Sequence, residues 1–343
     1  MSPGECSAAP WRDGGVYLIS GGAGALGLLL VEEIVSRSRG AHLVLLGRKP
    51  LDSERQDRIG ALRRDGCNIS YHQVDVSDRN AVDIAVGRIL EQHGTISGVL
   101  CLAGIARDAF LIEKVPGDMA AVLAPKVSGT VNIDEATAAL PLEFFACFAS
   151  FAGTVGNVGQ ADYASANAFM DRYAGYRNEL VARGLRSGRS LAIDWPWWAG
   201  GGMRIDAAKE ERLRLEGQAP LEVDEAMAAF YRALASDRTQ IIVLKGDHDR
   251  MRELLRDERI GGAADSDSSK TTSETLRDVI TPSSRAVADY LRNLLARRLH
   301  LAPERIETDA ALEHYGIDSI LALQLVSALE EVFGPLRKTL FFE

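Results

Sequence analysis

Residues 16–27 read Val16-Tyr17-Leu18-Ile19-Ser20-Gly21-Gly22-Ala23-Gly24-Ala25-Leu26-Gly27. A short apolar run ends in glycines at G-x-G-x-x-G spacing, Gly22, Gly24 and Gly27, and an amphipathic stretch over residues 26–37 follows. Strand, tight turn and helix in that order give each glycine a backbone task. Gly22 permits the turn, Gly24 lets a pyrophosphate approach the main chain, and Gly27 lets the helix pack close to the strand. At the helix N-terminus, Ala25 and Leu26 offer N–H groups without intrahelical partners, and the helix dipole adds positive potential for phosphate. Glycines alone can serve turn geometry and nothing else. The strand before them and the helix after them favour a nucleotide site.

Outward from that turn, six more short apolar runs follow, at residues 42–46, 69–74, 98–102, 144–149, 191–194 and 241–244. Helical periodicity lies between most of them, at residues 80–92, 119–138, 166–181 and 223–235. This alternation predicts an α/β fold, a Rossmann-type doubly wound parallel sheet of seven strands with right-handed crossovers and helices on both faces. Ligands bind at the carboxyl ends of strands in such sheets. After the second run stands Arg48, with Lys49 beside it, where an NAD site would place an acid for the ribose 2′-hydroxyl. A cation there suits a 2′-phosphate, so the expected cofactor is NADPH. By the same topology Asp75 and Val76 lie near the adenine, and Ala103 and Gly104 near the nicotinamide end.

The 343 residues, 46% hydrophobic and 25% charged, suit soluble globular material with room for two domains. A net charge of −9 argues against a nucleic-acid partner. The four cysteines, Cys6, Cys67, Cys101 and Cys147, have no metal-ligand or redox spacing, so no metal is expected and a reduced cytoplasm fits. No secretory signal and no apolar run long enough to span a bilayer is visible, so no membrane role is expected. Residues 261–284 (GGAADSDSSKTTSETLRDVITPSS) read as a flexible linker. The expected divisions are an N-terminal segment 1–15, a nucleotide-binding domain 16–260, the linker 261–284 and a small helical unit 285–343. In that unit Val287, Leu291, Leu294, Leu295 and Leu299 mark one helix, and Leu321, Leu325, Val326 and Leu329 a second, from about residue 319 to 333. Ser319, before the second helix, is explained fully as an N-cap.

Chemistry-bearing residues cluster after the fifth run. Ser150 ends it, residues 151–162 (FAGTVGNVGQAD) read as a small-residue loop, and Tyr163 and Asn167 share one helix face at i and i+4. Upstream, Lys126 sits on the crossover helix of residues 119–138. Singly, these are a helix cap, a core aromatic and a surface charge. Together with Gly22, Gly24 and Gly27 they resemble the ketoreductase domains of polyketide synthases, in the short-chain dehydrogenase/reductase superfamily. In that family lysine comes from the earlier helix and asparagine follows the tyrosine, the reverse of ordinary short-chain dehydrogenases, and this chain has that order. The resemblance covers residues 16–255 and includes GNVGQ at 156–160 and ASANAFMD at 164–171. Residues 193–203 (IDWPWWAGGGM) are similar to the subtype whose acyltransferases act in trans.

The resemblance implies NADPH-dependent reduction of a carrier-bound β-ketoacyl thioester. Tyr163 would donate the proton, and Ser150 would hydrogen-bond the carbonyl and the developing alkoxide. Lys126 would hold the nicotinamide ribose and favour the tyrosine anion, whose pKa is ordinarily about 10. Asn167 would orient a water or the lysine in a proton relay. The family's stereochemical markers fall at Ala106-Arg107-Asp108, which keeps Asp108, and at Val155, which replaces a tryptophan eight residues before the tyrosine. Both imply a D-configured alcohol. Many members carry a degenerate partner half ahead of the active one; fifteen residues precede the first strand here, so that half is expected either elsewhere in a parent polypeptide or missing. The unit at 285–343, with Asp318-Ser319 before its second helix, resembles an acyl carrier protein cut short at residue 343. That implies 4′-phosphopantetheine on Ser319. The implied partners are a carrier domain bearing the β-ketoacyl chain and other polyketide synthase domains. Two alternatives stay open, a free-standing short-chain reductase of soluble ketones and a non-catalytic scaffold.

Overall fold

In the computed structural model, seven strands run parallel in the order β3-β2-β1-β4-β5-β6-β7. The structure describes residues 10–201 apart from 39 and 65–67, residues 210, 213, 214 and 217–251, and then 291–296, 305, 306, 325, 326 and 329. The strands are β1 (Val16–Ser20), β2 (His42–Gly47), β3 (Asn68–Gln73), β4 (Gly98–Cys101), β5 (Phe144–Ser150), β6 (Arg189–Trp195) and β7 (Gln240–Ile242). The helices are α1 (Ala25–Arg37), α2 (Ser53–Arg64), α3 (Arg79–His93), α4 (Pro116–Lys126), α5 (Ser128–Ala136), α6 (Phe151–Val155), α7 (Ala161–Ala182) and α8 (Val223–Ala235). Chain order reverses between β1 and β4, and that reversal opens the ligand crevice at the strands' carboxyl ends.

All five residues of β1 are buried, as expected of a central parallel strand covered on both faces. Its side chains alternate between two apolar layers. Tyr17 and Ile19 join Leu45, Phe148, Trp195 and Phe230 under α1 and α8. Val16 and Leu18 join Val44, Val99 and Phe145 under α3, α5 and α7. The N-terminal segment enters the first layer through Trp11, whose Nε1–H donates to the Tyr231 hydroxyl at 3.0 Å. Among the described residues no helix is long and apolar enough to cross a membrane.

Three local features depart from the sequence reading. The helix expected over 119–138 is two helices, α4 and α5, parted at Val127 (φ −86°, ψ −75°). Pro125 brings no N–H to the ladder, and Gly129 seats α5 so close to Val76 that a Cβ there would lie 2.6 Å from its Cγ2. Helix α2 has no apolar periodicity to announce it. It rests on Ile59 alone as a buried core contact, with Asp52 accepting from Arg55 N at 2.9 Å and Arg58 pairing with Glu32. Finally, α6 occupies the start of the expected loop, capped by Ser150 Oγ accepting from Ala152 N at 3.3 Å.

The chain divides into two compact units, Met1–Ile260 and Gly261–Glu343. In the second unit residues 291–296 are helical, and Leu294, Leu325, Val326 and Leu329 are buried. The expected linker, residues 261–284, lies outside the described residues, as does Ser319.

Candidate active site

The β1–α1 turn divides its glycines differently from the expected scheme. The left-handed residue is Gly21 (φ +69°), whose Cβ would meet Ala103 N at 2.8 Å, so the tight turn depends on Gly21 rather than on Gly22. Gly22 is a packing glycine, with a Cβ position 2.7 Å from Leu45 Cδ2, and Gly27 would press on Gly21 O at 2.5 Å. Gly24 is exposed and is the N-cap of α1, without a side-chain cap and with no acid in the first turn. The N-terminal N–H groups of α1, Ala25 and Leu26 among them, therefore lack a side-chain acceptor, and this donor set fits a pyrophosphate. Ser20 Oγ, accepting from Ala103 N at 3.3 Å, ties the end of β1 to the segment after β4.

Arg48 is exposed just past β2, and its loop is held through the backbone. Tyr71 donates to Lys49 O, and Gln73 reaches Arg48 O at 3.4 Å. A second guanidinium arrives that the sequence did not announce. Arg55 Nε, on α2, donates to Ala23 O at 2.9 Å inside the glycine turn. Past β3, Asp75 Oδ1 accepts from Ser77 N at 3.0 Å and Ser77 Oγ at 2.6 Å, while Val76 O takes the Asn132 amide at 2.9 Å. Both residues thus have fixed positions beside the crevice.

Ser150, Tyr163 and Asn167 come together. Tyr163 is in the first turn of α7 and Asn167 one turn on, with Asn167 Nδ2 donating to Tyr163 O at 2.7 Å. Gly153 lets α6 close on this face; its Cβ would lie 2.9 Å from Asn167 Cβ. Burial pushes the Tyr163 phenol up, hydrogen bonds with Ser150 and Asn167 pull it back, and the Asp108 charge pushes it up again. Asn167 is fully buried, yet its Oδ1 has no partner.

Lys126 ends α4 and lies deeper. It is 4% exposed, and its ammonium donates to Phe148 O at 2.7 Å and to Met170 Sδ at 3.4 Å. Gly104 makes room for it, since a Cβ there would sit 2.8 Å from Lys126 Cε. Burial is the largest influence on the Tyr163 phenol, which stands above its ordinary value. Below the lysine lie two acids that sequence reasoning missed, Asp171 on α7 and Asp194 on β6. Asp194 Oδ2 accepts from Thr154 at 2.8 Å and Gln240 at 2.7 Å. Burial and the mutual approach of the pair push Asp171 well above the carboxylate range.

Burial pushes the Lys126 ammonium down to about 8 from an ordinary 10.5, with Cys147, Cys101, Asp171 and Asp194 opposing. Between these two pH values the unfolded chain binds more protons than the folded one, so stability rises with pH across that window and is lost as pH falls through it. The full difference is about 3 kcal/mol, at about 1.36 kcal/mol per pH unit. Lys126→Met removes the titration. Its urea midpoint, compared with that of the parent, should be most favourable at pH 8 and lose ground toward pH 10.5. A difference independent of pH would contradict the assignment.

Asp108 accepts from Gln160 Nε2 through both oxygens at 2.9 Å, and Val155 closes α6. Gln160 is 3% exposed and had not been singled out.

Residues 15–200 match the KR domain family, and residues 289–343 match the phosphopantetheine attachment site family. Polyketide synthase PksL of Bacillus subtilis (strain 168) is 38% identical over 343 residues, covering 97% of this chain and 8% of that protein. Polyketide synthase ThaG of Burkholderia thailandensis is 39% identical over 326 residues, covering 95% of this chain and 6% of that protein. The chain thus spans less than a tenth of these relatives. Among solved structures, a ketoreductase domain from the bacillaene assembly line superposes with a TM-score of 0.71 at 43% identity, covering 72% of this chain and 60% of that one. An N-terminal ketoreductase from the macrolactin assembly line gives 0.66 at 36% identity, covering 73% and 48%. With more than half of its length inside the KR match, the chain belongs to the KR domain family, and a match to the phosphopantetheine attachment site family follows it.

Proposed function

We propose that the chain reduces the β-ketone of an acyl thioester, presented on a carrier's phosphopantetheine arm, to the D-configured β-hydroxyacyl thioester. The observation that carries this reading is the meeting of Ser150, Tyr163 and Asn167 at the carboxyl end of β5, beside an uncapped α1 N-terminus. NADPH, when bound, supplies the hydride. Ala25 and Leu26 would hold its pyrophosphate by N–H donors, while Gly24, whose own N–H is taken by Gly21 O at 2.9 Å, would let the phosphates approach the turn. Arg48 would take the 2′-phosphate, Asp75 and Val76 would border the adenine, and Ala103 and Gly104 the nicotinamide. Gly22 and Gly27 keep the turn tight.

Reduction at the ketone carbon would place negative charge on its oxygen. Ser150 donates a hydrogen bond to that oxygen and Tyr163 delivers the proton, which leaves a phenolate. A water held by the unpartnered Oδ1 of the buried Asn167 would return a proton to the phenolate and be resupplied from the Lys126 ammonium behind it. Ser319 is the proposed attachment point for 4′-phosphopantetheine. The proposed partners are a carrier domain bearing the β-ketoacyl chain and the other domains of the synthase, in a reduced cytoplasm that suits the free thiols of Cys101 and Cys147.

Turnover of a β-ketoacyl-pantetheine surrogate with NADPH and with NADH, followed by chiral analysis, tests this. Turnover should favour NADPH. Arg48→Ala should raise the KM for NADPH by about tenfold or more and leave NADH unchanged, since a charged hydrogen bond is worth about 1.5–3 kcal/mol. An exclusively L-configured product overturns the stereochemical assignment. Reduction of soluble ketones in preference to the thioester favours a free-standing reductase, and NADPH binding without any turnover favours a scaffold.

A further inference from the structure

Residues 107–114, between β4 and α4, lie against the segment that leads into α7, and three contacts join them. Ala109 N donates to Gly159 O at 2.9 Å, Gln160 holds both oxygens of Asp108, and Lys114 Nζ meets Asp162 Oδ2 at 2.6 Å. The third is unusual. Its side chains are 3% and 1% exposed, a buried ion pair immediately before Tyr163. Lys114 also donates to Arg107 O at 2.5 Å, closing residues 107–114 into a loop across its own base. The other oxygen of the same carboxylate, Asp162 Oδ1, accepts the backbone N–H of Tyr163 at 2.8 Å. One carboxylate therefore joins the backbone of Tyr163 to the strap that carries Asp108.

A buried ion pair stabilises a fold no better than well-packed apolar residues of similar size, because desolvation offsets the attraction. What this pair supplies is geometry. We propose that Lys114 and Asp162 are a positioning pair, which fixes the Tyr163 hydroxyl and the Asp108 strap relative to one another and so sets rate and stereochemical outcome at this site. The inference rests on Tyr163 being the proton donor. Neither residue touches the reacting atoms. Their effect runs through the Tyr163 backbone and the strap, and small displacements of a positioned group cost a reaction about 10²-fold.

Lys114→Met, Asp162→Asn and the double variant separate positioning from simple support. Each single change leaves one buried group without its partner and should lower Tm, whereas the double change removes both charges and should recover most of the loss. The expected result is that the double variant, with Tm restored and NADPH affinity within about twofold of the parent, still has kcat lowered by about 10–100-fold and gives a mixture of alcohol enantiomers. Wild-type turnover with unchanged product chirality in the double variant overturns the proposal. If the double variant does not fold, the Asp162→Asn product, formed well below its Tm, decides in the same way. Tyr163→Phe runs in the same assay. Its retention of activity would remove the reading of Tyr163 and this inference with it, whereas its inactivity beside a normal double variant would remove this inference alone.

Discussion

Tyr163→Phe should lower kcat for a β-ketoacyl thioester by about 10²–10⁴-fold, the usual worth of one positioned acid, while NADPH affinity stays within about twofold. The substitution removes one oxygen from a half-buried ring in the first turn of α7. The donor it removes has no substitute of equal placement. Ser150 accepts from Ala152 N and can still hydrogen-bond the ketone, but it has no acidic form near neutral pH. Asn167 is an amide. Because burial and the Asp108 charge raise the Tyr163 phenol, the protonated form is the resting state across neutral pH. The sign follows for the pH profile of reduction. Acid leaves Tyr163 in its donor form, and loss of the donor begins only on the alkaline side of an ordinary tyrosine, about pH 10. Stopped-flow NADPH oxidation by parent and variant checks both points, and a variant that turns over at the parent rate refutes the assignment.

The sequence was most readable where spacing along the chain is also proximity in space. The β1–turn–α1 unit and the Tyr163/Asn167 face belong to this class, since i to i+5 separations are fixed by the local backbone. Even there the turn conformation fell one residue early, at Gly21, because the constraint comes from Ala103 after β4. Lys126 was readable as a residue type but not as a position. Its depth depends on the helix break at Val127, on Gly104, and on Phe148 O, which no local pattern encodes. Helix α2, SERQDRIGALRR, hid because its apolar contacts are few, a buried Ile59 and a partly buried Leu62, and the rest of its support is ionic; Arg55 was hidden with it. Asp171 and Asp194, and Lys114 and Asp162, become pairs only when strands and loops distant in sequence are adjacent. Charged residues read singly default to solvent, so nothing in the chain itself marked these as buried.

Arg177→Met should destabilise the first unit by about 3–5 kcal/mol, the cost of leaving one partner of a buried ion pair unpaired. Arg177 is fully buried on α7, fourteen residues beyond Tyr163. Its Nε donates to Asp134 at 2.5 Å, Nη1 to Gly188 O and Ser190 Oγ at 2.9 Å, and Nη2 to Ser187 O at 2.9 Å, with the guanidinium 4.7 Å over the Phe145 ring. One side chain thus fastens α7 to α5, to β5 and to the start of β6. Methionine fills much of the volume but leaves two carbonyls and a hydroxyl without their donors. Asp134 keeps Tyr173, at 2.9 Å, and Arg186, at 3.1 Å, so its charge is only partly abandoned. That compensation places the expected loss toward the lower end, a fall in Tm of roughly 10 °C for a unit of this size. Arg177→Lys should recover little of it, since an ammonium cannot make the planar fork of bonds that reaches Asp134, Gly188, Ser187 and Ser190 together. Thermal melts of the three proteins decide the matter, and a shift below about 2 °C for Arg177→Met would show that the network is dispensable. Because the same helix carries Tyr163 and Asn167, activity assayed well below Tm should fall less than stability does. The anchor lies nearly four turns from the reacting end, where the Ala109–Gly159, Gln160–Asp108 and Lys114–Asp162 contacts remain in place.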